Sequence, residues 1–405
     1  MSRDRAAIPH RVGVYLGAVQ FLFAVTWTIY VLYLPQLAAQ AGIAKHYVLA
    51  LLMLDQAIFT VMDFAFGAAA DRAARVTGRV ARGVLAVTLV SCAAFLLLPI
   101  VAPGGAWALL ALMVLWTATS SALRAPPLVI LAKYTPPSQQ PWLASLSLFG
   151  LGVAAAAAPY VGIALAGVDP RVPFAVSSLA LAAATLAMLW AERTLGQTGD
   201  PSETPRRSAP PPFTGGHVLA FLGAVLLLGL GAQIHFALNS VPQYLKFAKP
   251  DQLPQLLPLF WVGFSLLMLP AGIAAQRYRG VTVMAAAGIV GAAALYGAAT
   301  AGGLPALVLA QLVAGGAWAC VLAAAVAAAL AFGHTGREGA VTGGVFALLA
   351  VATFLRMGVV LAELNKDAEY ARLLGTAPIA LWLVAGVALA GLTAYARGAP
   401  KGVSA

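Results

Sequence analysis

Four ionisable side chains interrupt otherwise apolar runs, and any chemistry in this chain begins with them: Asp55, Asp63, Arg124 and Arg356. A charge held among apolar groups costs several kcal/mol unless it is paired or hydrated, so each marks an ion pair, a proton site or a ligand contact. On a helix, Asp63 stands about 12 Å from Asp71, and Arg124 about 13 Å from Lys133. Asp55 and Asp63 lie about 80° apart around the axis, so both can face one interior. Two readings of Asp63 and Arg124 stand side by side: an ion pair that locks two helices, or a functional site. Beside Arg124, Asp63 is expected to stay ionised. Asp55, with no evident partner on its own helix, is the better candidate to bind and release a proton. Arg356 can snorkel to the membrane face, bind an anionic substrate or pair with Asp55. Glu363 reads as interfacial.

A second layer of polar and aromatic residues lies in the same runs: Gln20, Trp27, Tyr30, Trp116, Gln233, His235, Asn239, Gln311 and Trp318. Amides and imidazole can hydrogen-bond hydroxyl groups while an indole face stacks on the apolar side of a ring, so together they suit an uncharged, hydroxylated ligand. Each taken singly reads equally as an interhelical hydrogen bond or an interfacial aromatic. His235, flanked by Gln233 and Asn239, can bind substrate or exchange a proton. Cys92 and Cys320 are far apart in apolar runs, so no disulfide framework, metal site or cofactor is expected. Walker loops, His-x-x-x-His pairs and nucleophile elbows are missing from any sensible context, which argues against ATP-driven pumping and against an enzyme.

The composition names the solvent of these residues. Of 405 positions, 61% are hydrophobic and 9% charged, against about 25% charged in ordinary globular chains. So few charges cannot cover a soluble body, whereas a lipid bilayer accepts apolar surface directly. The first apolar stretch begins near Val12 and is too long for a signal-peptide core, so it is expected to remain as a span. Apolar runs between polar breaks predict twelve transmembrane helices, at 12–37, 47–69, 83–102, 106–132, 143–166, 172–191, 217–243, 254–275, 281–300, 304–332, 340–362 and 375–396.

The net charge of +11 follows from this topology rather than from nucleic-acid binding. Outside the spans, the side holding both termini carries 16 Lys and Arg residues, and the other only Lys45, Arg171, Lys246, Lys249, Lys366 and Arg372. The positive-inside rule then predicts cytoplasmic termini in an inner membrane. A Pro-, Ser- and Thr-rich stretch at 192–216 reads as a cytoplasmic linker dividing a six-helix bundle at 1–191 from another at 217–405. The halves echo each other. Gly17-Ala-Val recurs at Gly223, Leu34-Pro-Gln at Val241, and Gly67-x-x-x-Asp71-Arg72 as Gly272-x-x-x-Gln276-Arg277, at offsets of 206, 207 and 205. Parallel repeats of this kind place a substrate site between the halves at mid-membrane.

On these features the chain resembles the major facilitator superfamily over nearly its whole length. The most specific motif is Gly67-Ala-Ala-Ala-Asp71-Arg72 with Arg75 and Arg79, which resembles the superfamily's loop between helices two and three. The resemblance implies an all-α membrane fold of two pseudo-symmetric six-helix bundles. It also implies that Gly67, Asp71, Arg72 and Arg75 form a gate in which charges pair across the cytoplasmic ends of the halves. A local resemblance, in helices two and four, is to the glycoside-pentoside-hexuronide:cation symporters: Asp63-Phe64-Ala-Phe-Gly67 and Arg124-Ala-Pro126 through Thr135. Phe64 stands where that family has Pro, Phe59 where it often has a second Asp, and Arg124 at an acidic cation-ligand position. Those departures disfavour sodium and leave the proton as coupling ion. Ala158-Pro159-Tyr-Val-Gly162 is a partial match to a drug/proton antiporter motif.

The resulting expectation is a secondary active transporter, a monomer in the bilayer, moving a small organic solute, sugar-like among the candidates, by alternating access as a proton symporter. The alternatives are a drug/proton efflux antiporter and a non-transporting membrane scaffold or assembly factor.

Overall fold

Backbone groups in hydrocarbon have no water to pair with, so an apolar chain of this length must satisfy them within helices. The computed structural model describes residues 2–76, 79–198, 215–334 and 336–398, and every regular element among them is helical. The Pro-rich part of the expected linker, 199–214, lies outside the described residues.

Among the described residues twelve helices are long and apolar enough to cross a membrane: α1 (His10–Gln40), α2 (Lys45–Val76), α3 (Ala81–Gly104), α4 (Ala106–Tyr134), α5 (Gln140–Ala164), α6 (Arg171–Gly196), α7 (Gly215–Tyr244), α8 (Pro250–Tyr278), α9 (Gly280–Ala299), α10 (Leu304–Phe332), α11 (Glu338–Leu361) and α12 (Ala368–Tyr395). The chain is a multi-pass membrane protein. Successive crossings put the first end of α1, the last end of α12 and the facing ends of α6 and α7 on one side, hereafter the linker side; the other is the far side. The largest departures from expectation are the end of α2, at 76 rather than 69, and the start of α12, at 368 rather than 375. Both extensions carry charged residues, Asp71 to Arg75 and Glu369 to Arg372, because a helix can run on past the hydrocarbon that hydropathy detects.

Within the first six spans, α1 packs on α5 and α6, and α3 on α4 and α6; within the last six, α10 packs on α8 and α9, and α12 on α7 and α9. The halves meet chiefly where α2 lies on α11 and α5 on α8. The internal repeat relates α2 to α8 and α5 to α11, so these two contacts are copies of one interface.

Small residues bring the backbones together there. A Cβ at Gly67 would collide with the carbonyl of Gly339, one at Gly343 with the carbonyl of Asp63, and one at Gly272 with the Ser145 side chain. This is the close helix approach that small residues permit.

Two irregular turns position the site. In α4 the helix ends at Ser120, a tight turn follows over Ser121–Leu123, and the helix resumes at Pro126. Pro126 and Pro127 lack the N–H groups that the carbonyls of Ala122 and Leu123 would otherwise accept. The Gln20 amide of α1 donates to the freed Leu123 carbonyl. In α7, His235–Asn239 forms a wide π-turn, a feature that inserts one extra residue into the helix.

Enlarging Gly67 to Leu should separate α2 from α11, at a cost of about 1–3 kcal/mol to the packed arrangement. Spin labels at the exposed positions 72 and 337 should then show a longer distance distribution. An unchanged distribution would mean that the backbone contact does not hold the linker side together.

Candidate functional site

The structure brings Asp63 and Arg124 together. A guanidinium nitrogen of Arg124 donates to Asp63 Oδ2 at 2.6 Å, with Asp63 0% exposed and the Arg124 side chain 20% exposed. The break in α4 places Arg124 beside α2 at this height. Its guanidinium lies 5.1 Å from the ring centres of both Phe59 and Phe346. Phe59 precedes Asp63 by one turn of α2, whereas Phe346 comes from α11 in the other half, so this cation–π contact crosses between the bundles.

Asp55 occupies a different environment. It is 0% exposed, and its two oxygens accept hydrogen bonds from Tyr30 and Thr117, each at 2.7 Å. Around Tyr30 the rings form a continuous cluster. Trp116 lies 4.4 Å from Tyr30, Trp27 stacks on Trp116 at 5.9 Å, and Trp27 also meets Phe59 at 5.5 Å. Rings therefore connect the Asp55 site to the Asp63–Arg124 pair. Tyr30 and Trp116 are buried inside the first bundle, while Trp27 and Gln20 are half-buried.

In the second bundle, the π-turn directs His235 inward, where its Nε2 meets the Gln311 amide oxygen at 2.9 Å. The Gln311 amide nitrogen reaches Gln243 at 3.1 Å and Ser240 at 3.4 Å, giving a buried network between α7 and α10. Asn239 donates instead to the Leu374 carbonyl of α12, at 3.0 Å. Trp318 is buried against Trp382. Gln233 is half-buried and makes no hydrogen bond.

On the linker side, Asp71 crosses to the other half. Its two oxygens accept the backbone N–H groups of Gly339 and Ala340 at 2.7 and 2.8 Å, at the start of α11, and Arg75 donates to the Gly336 carbonyl. Charge pairing between side chains was the expectation. The observed partner is backbone, because the first turn of a helix presents unsatisfied N–H groups and a partial positive charge that a carboxylate satisfies. Arg72 is exposed. The hydrogen bonds of Asp71 and Arg75 join the halves and lie on the linker side. Glu192, expected at the start of the linker, lies instead within α6, which runs on to Gly196, and makes a similar cap within the first half: its oxygens accept the N–H groups of Val80 and Ala81 at 2.7 and 3.2 Å.

Arg356 is half-buried, its Nε is buried without a partner, and no pairing with Asp55 forms. Three partners escaped sequence reasoning: Thr117, Gln243 and Phe346. Thr117 and Gln243 stand in short polar stretches of otherwise apolar helices, Thr117 with Thr119 to Ser121 and Gln243 with Asn239 and Ser240, which was the available signal; Phe346 carries none. No group of three His, Cys, Asp or Glu side chains suited to a metal occurs among the described residues.

Residues 16–355 match the Major Facilitator Superfamily. No curated protein matches the chain. Among solved structures of similar fold are the human organic anion transporter MFSD10 (TETRAN), with a TM-score of 0.73 and 16% identity over 94% of this chain and 99% of that one. A bacterial homologue of the iron transporter ferroportin, in an outward-facing state, gives 0.70 and 13% over 95% and 99%. The proton:xylose symporter XylE gives 0.62 and 13% over 97% and 96%. At these identities the likeness concerns the fold.

Replacing either Arg124 or Asp63 by Ala leaves the other charge buried alone, a loss of about 3–5 kcal/mol. Each single variant should unfold in detergent at clearly lower temperature, and the double variant should recover part of the loss. Strictly additive losses would show that the two charges do not support each other.

Proposed function

The chain belongs to the Major Facilitator Superfamily, a superfamily of membrane transporters rather than enzymes, and from that premise we propose secondary active transport of a small organic solute by alternating access, coupled to protons at Asp55. The observation that carries the coupling residue is the kind of partner each buried carboxylate has. Among the described residues, the buried acids are Asp55, Asp63, Asp71 and Glu192. Asp63 faces a guanidinium at one oxygen, its other oxygen being buried without a partner, and Asp71 and Glu192 face backbone N–H groups; these partners donate and cannot accept, so none of them can take the proton of a carboxylic acid. Asp55 faces two hydroxyls. A hydroxyl can donate to a carboxylate or turn to accept from a carboxylic acid, so the site serves both protonation states without a stranded polar group. A protonated Asp55 also crosses an occluded state without a buried charge.

The substrate site in this reading lies between the halves, with Gln20, Trp27 and Gln233 supplying half-buried contacts, and a hydroxylated, sugar-like body suits them. Arg124 occupies the place of a cation beside Asp63, which supports protons over sodium. The local likeness of α2 and α4 to the glycoside-pentoside-hexuronide:cation symporters is part of the proposal, as are a monomer and an inner-membrane location. The excess of Lys and Arg supports a cytoplasmic linker side. With that orientation, the Asp71 and Arg75 contacts close the cytoplasmic end in this conformation.

A thermal-shift screen of sugars, organic acids and cationic compounds identifies the solute, since a ligand of the folded state raises its stability by mass action. Asp55→Asn, a mimic of the protonated form, should then abolish accumulation driven by a pH gradient while retaining most equilibrium exchange in liposomes. If that variant still concentrates the solute, Asp55 is not the coupling site.

Orientation has its own test. Cysteines at the exposed positions 193 and 45 should be labelled by an impermeant thiol reagent only from the cytoplasm and only from outside, respectively. Labelling of position 193 in intact cells would reverse the topology.

A further inference from the structure

Arg356 is the charge within the spans that the proposed mechanism leaves unused. It stands five residues before the far end of α11. It makes no hydrogen bond or ion pair, and its Nε is buried without a partner. A guanidinium cannot shed its proton to escape the cost of burial. No ion pair reaches it from its neighbours: α7 and α10, which flank α11, contain no acidic residue, and Asp367 beyond its far end accepts the backbone N–H groups of Glu369 and Tyr370. The acids of α2 are engaged by hydroxyls, by Arg124 and by the start of α11, and Glu363 pairs with Lys366.

The register of α7 against α11 supplies a companion. Gly229 of α7 packs beneath the side chains of Leu349 and Ala352 of α11. Both helices run from the linker side to the far side. One turn beyond Gly229 on the same stripe is Gln233, and one turn beyond Ala352 is Arg356, each displaced by about 6 Å in the same direction. Gln233, too, is half-buried and makes no hydrogen bond. Two polar side chains without partners therefore occupy the same height on facing stripes of two helices in the second bundle.

We propose that Arg356 and Gln233 form the binding site for the anionic group of a monovalent organic anion, most simply a carboxylate on a hydroxylated or aromatic body. The guanidinium fork matches the two carboxylate oxygens, and the Gln233 amide N–H₂ supplies a further donor. A single positive charge suits one negative charge rather than two. This inference rests on the transport reading and names its substrate class.

The test uses the full chain purified in detergent, with benzoate, 3-phenylpropionate, lactate and gluconate as probes and the matching primary amides as controls. At least one carboxylate should raise the unfolding temperature saturably and its amide should not. Arg356→Gln should weaken that carboxylate at least tenfold without lowering the stability of the unliganded protein, and Arg356→Lys should retain part of the affinity. Should Arg356→Gln fail to fold, Gln233→Ala, which removes no charge, should still weaken binding several-fold. No shift with any carboxylate, equal shifts for acid and amide, or affinity that survives both substitutions would overturn the site. Counterflow in liposomes separates this outcome from failure of transport itself. Flux of a neutral solute alone would remove the anion site and leave transport standing. Arg356-dependent carboxylate binding without any flux would keep the site and remove the transport reading.

Discussion

A polar group left unpaired in hydrocarbon costs several kcal/mol, and this cost organises the molecule from its backbone outward. It makes the apolar runs helical, and it assigns partners wherever the helices are irregular. The two prolines in α4 release the Leu123 carbonyl, and Gln20 of α1 takes it. Asp71 covers the open start of α11, and Glu192 that of α3. The Trp382 indole donates to the Leu228 carbonyl at 2.9 Å, tying α12 to α7. Each of these contacts spends a polar side chain on a backbone group that sequence alone would leave exposed, and each fixes one helix against another as a result.

The same cost sorts the acidic residues by what they are able to do. A carboxylate whose partners are a guanidinium or amide N–H groups has no acceptor for a proton beside it, and it acts as a fixed joint. Asp55, matched to Tyr30 and Thr117, is satisfied in both protonation states. Position in the sequence does not distinguish these cases, since Asp55 and Asp63 lie on one helix with similar neighbours. Their partners come from α1 and α4, and the bend in α4 decides which partner each acid meets: Thr117 precedes the break and reaches Asp55, while Arg124 lies within it and reaches Asp63.

Hydropathy made the spans readable, because lipid imposes one length and one polarity on every crossing. The Asp63–Arg124 pair was readable too, since two opposite charges in apolar runs have few other choices. What escaped was set by backbone. The N–H groups at the start of α11 have no residue type, so Asp71 was expected to meet basic side chains. The π-turn at His235–Asn239 lies just before Pro242, whose ring offers no N–H to the Leu238 carbonyl, a signal of irregular helix that hydropathy does not read. Glu192 fell at a boundary drawn from composition, although its helix continues past it. The aromatic and amide residues gave the least, because a buried Trp116 that packs a bundle and one that binds a ligand present the same letter.

The placement of contacts also explains how a packed assembly of this kind can alternate. The contacts of Asp63 and Asp55 and the His235–Gln311 network each lie within one half, deep in the bundle, and a rocking motion of the halves leaves them intact. The hydrogen bonds of Asp71 and Arg75, which such a motion must break, lie at the linker end, where water can replace each lost partner. Hydrogen bonds to charged groups contribute about 1.5–3 kcal/mol each in place, but replacement by water leaves no stranded group behind. Deeper in the membrane, the halves are joined near Arg124 by the Phe346 ring, a contact of about 0.5–2 kcal/mol that carries no obligate hydrogen bond. Strong polar contacts inside each half, and replaceable ones between the halves, let the interface open without exposing an unpaired polar group to lipid.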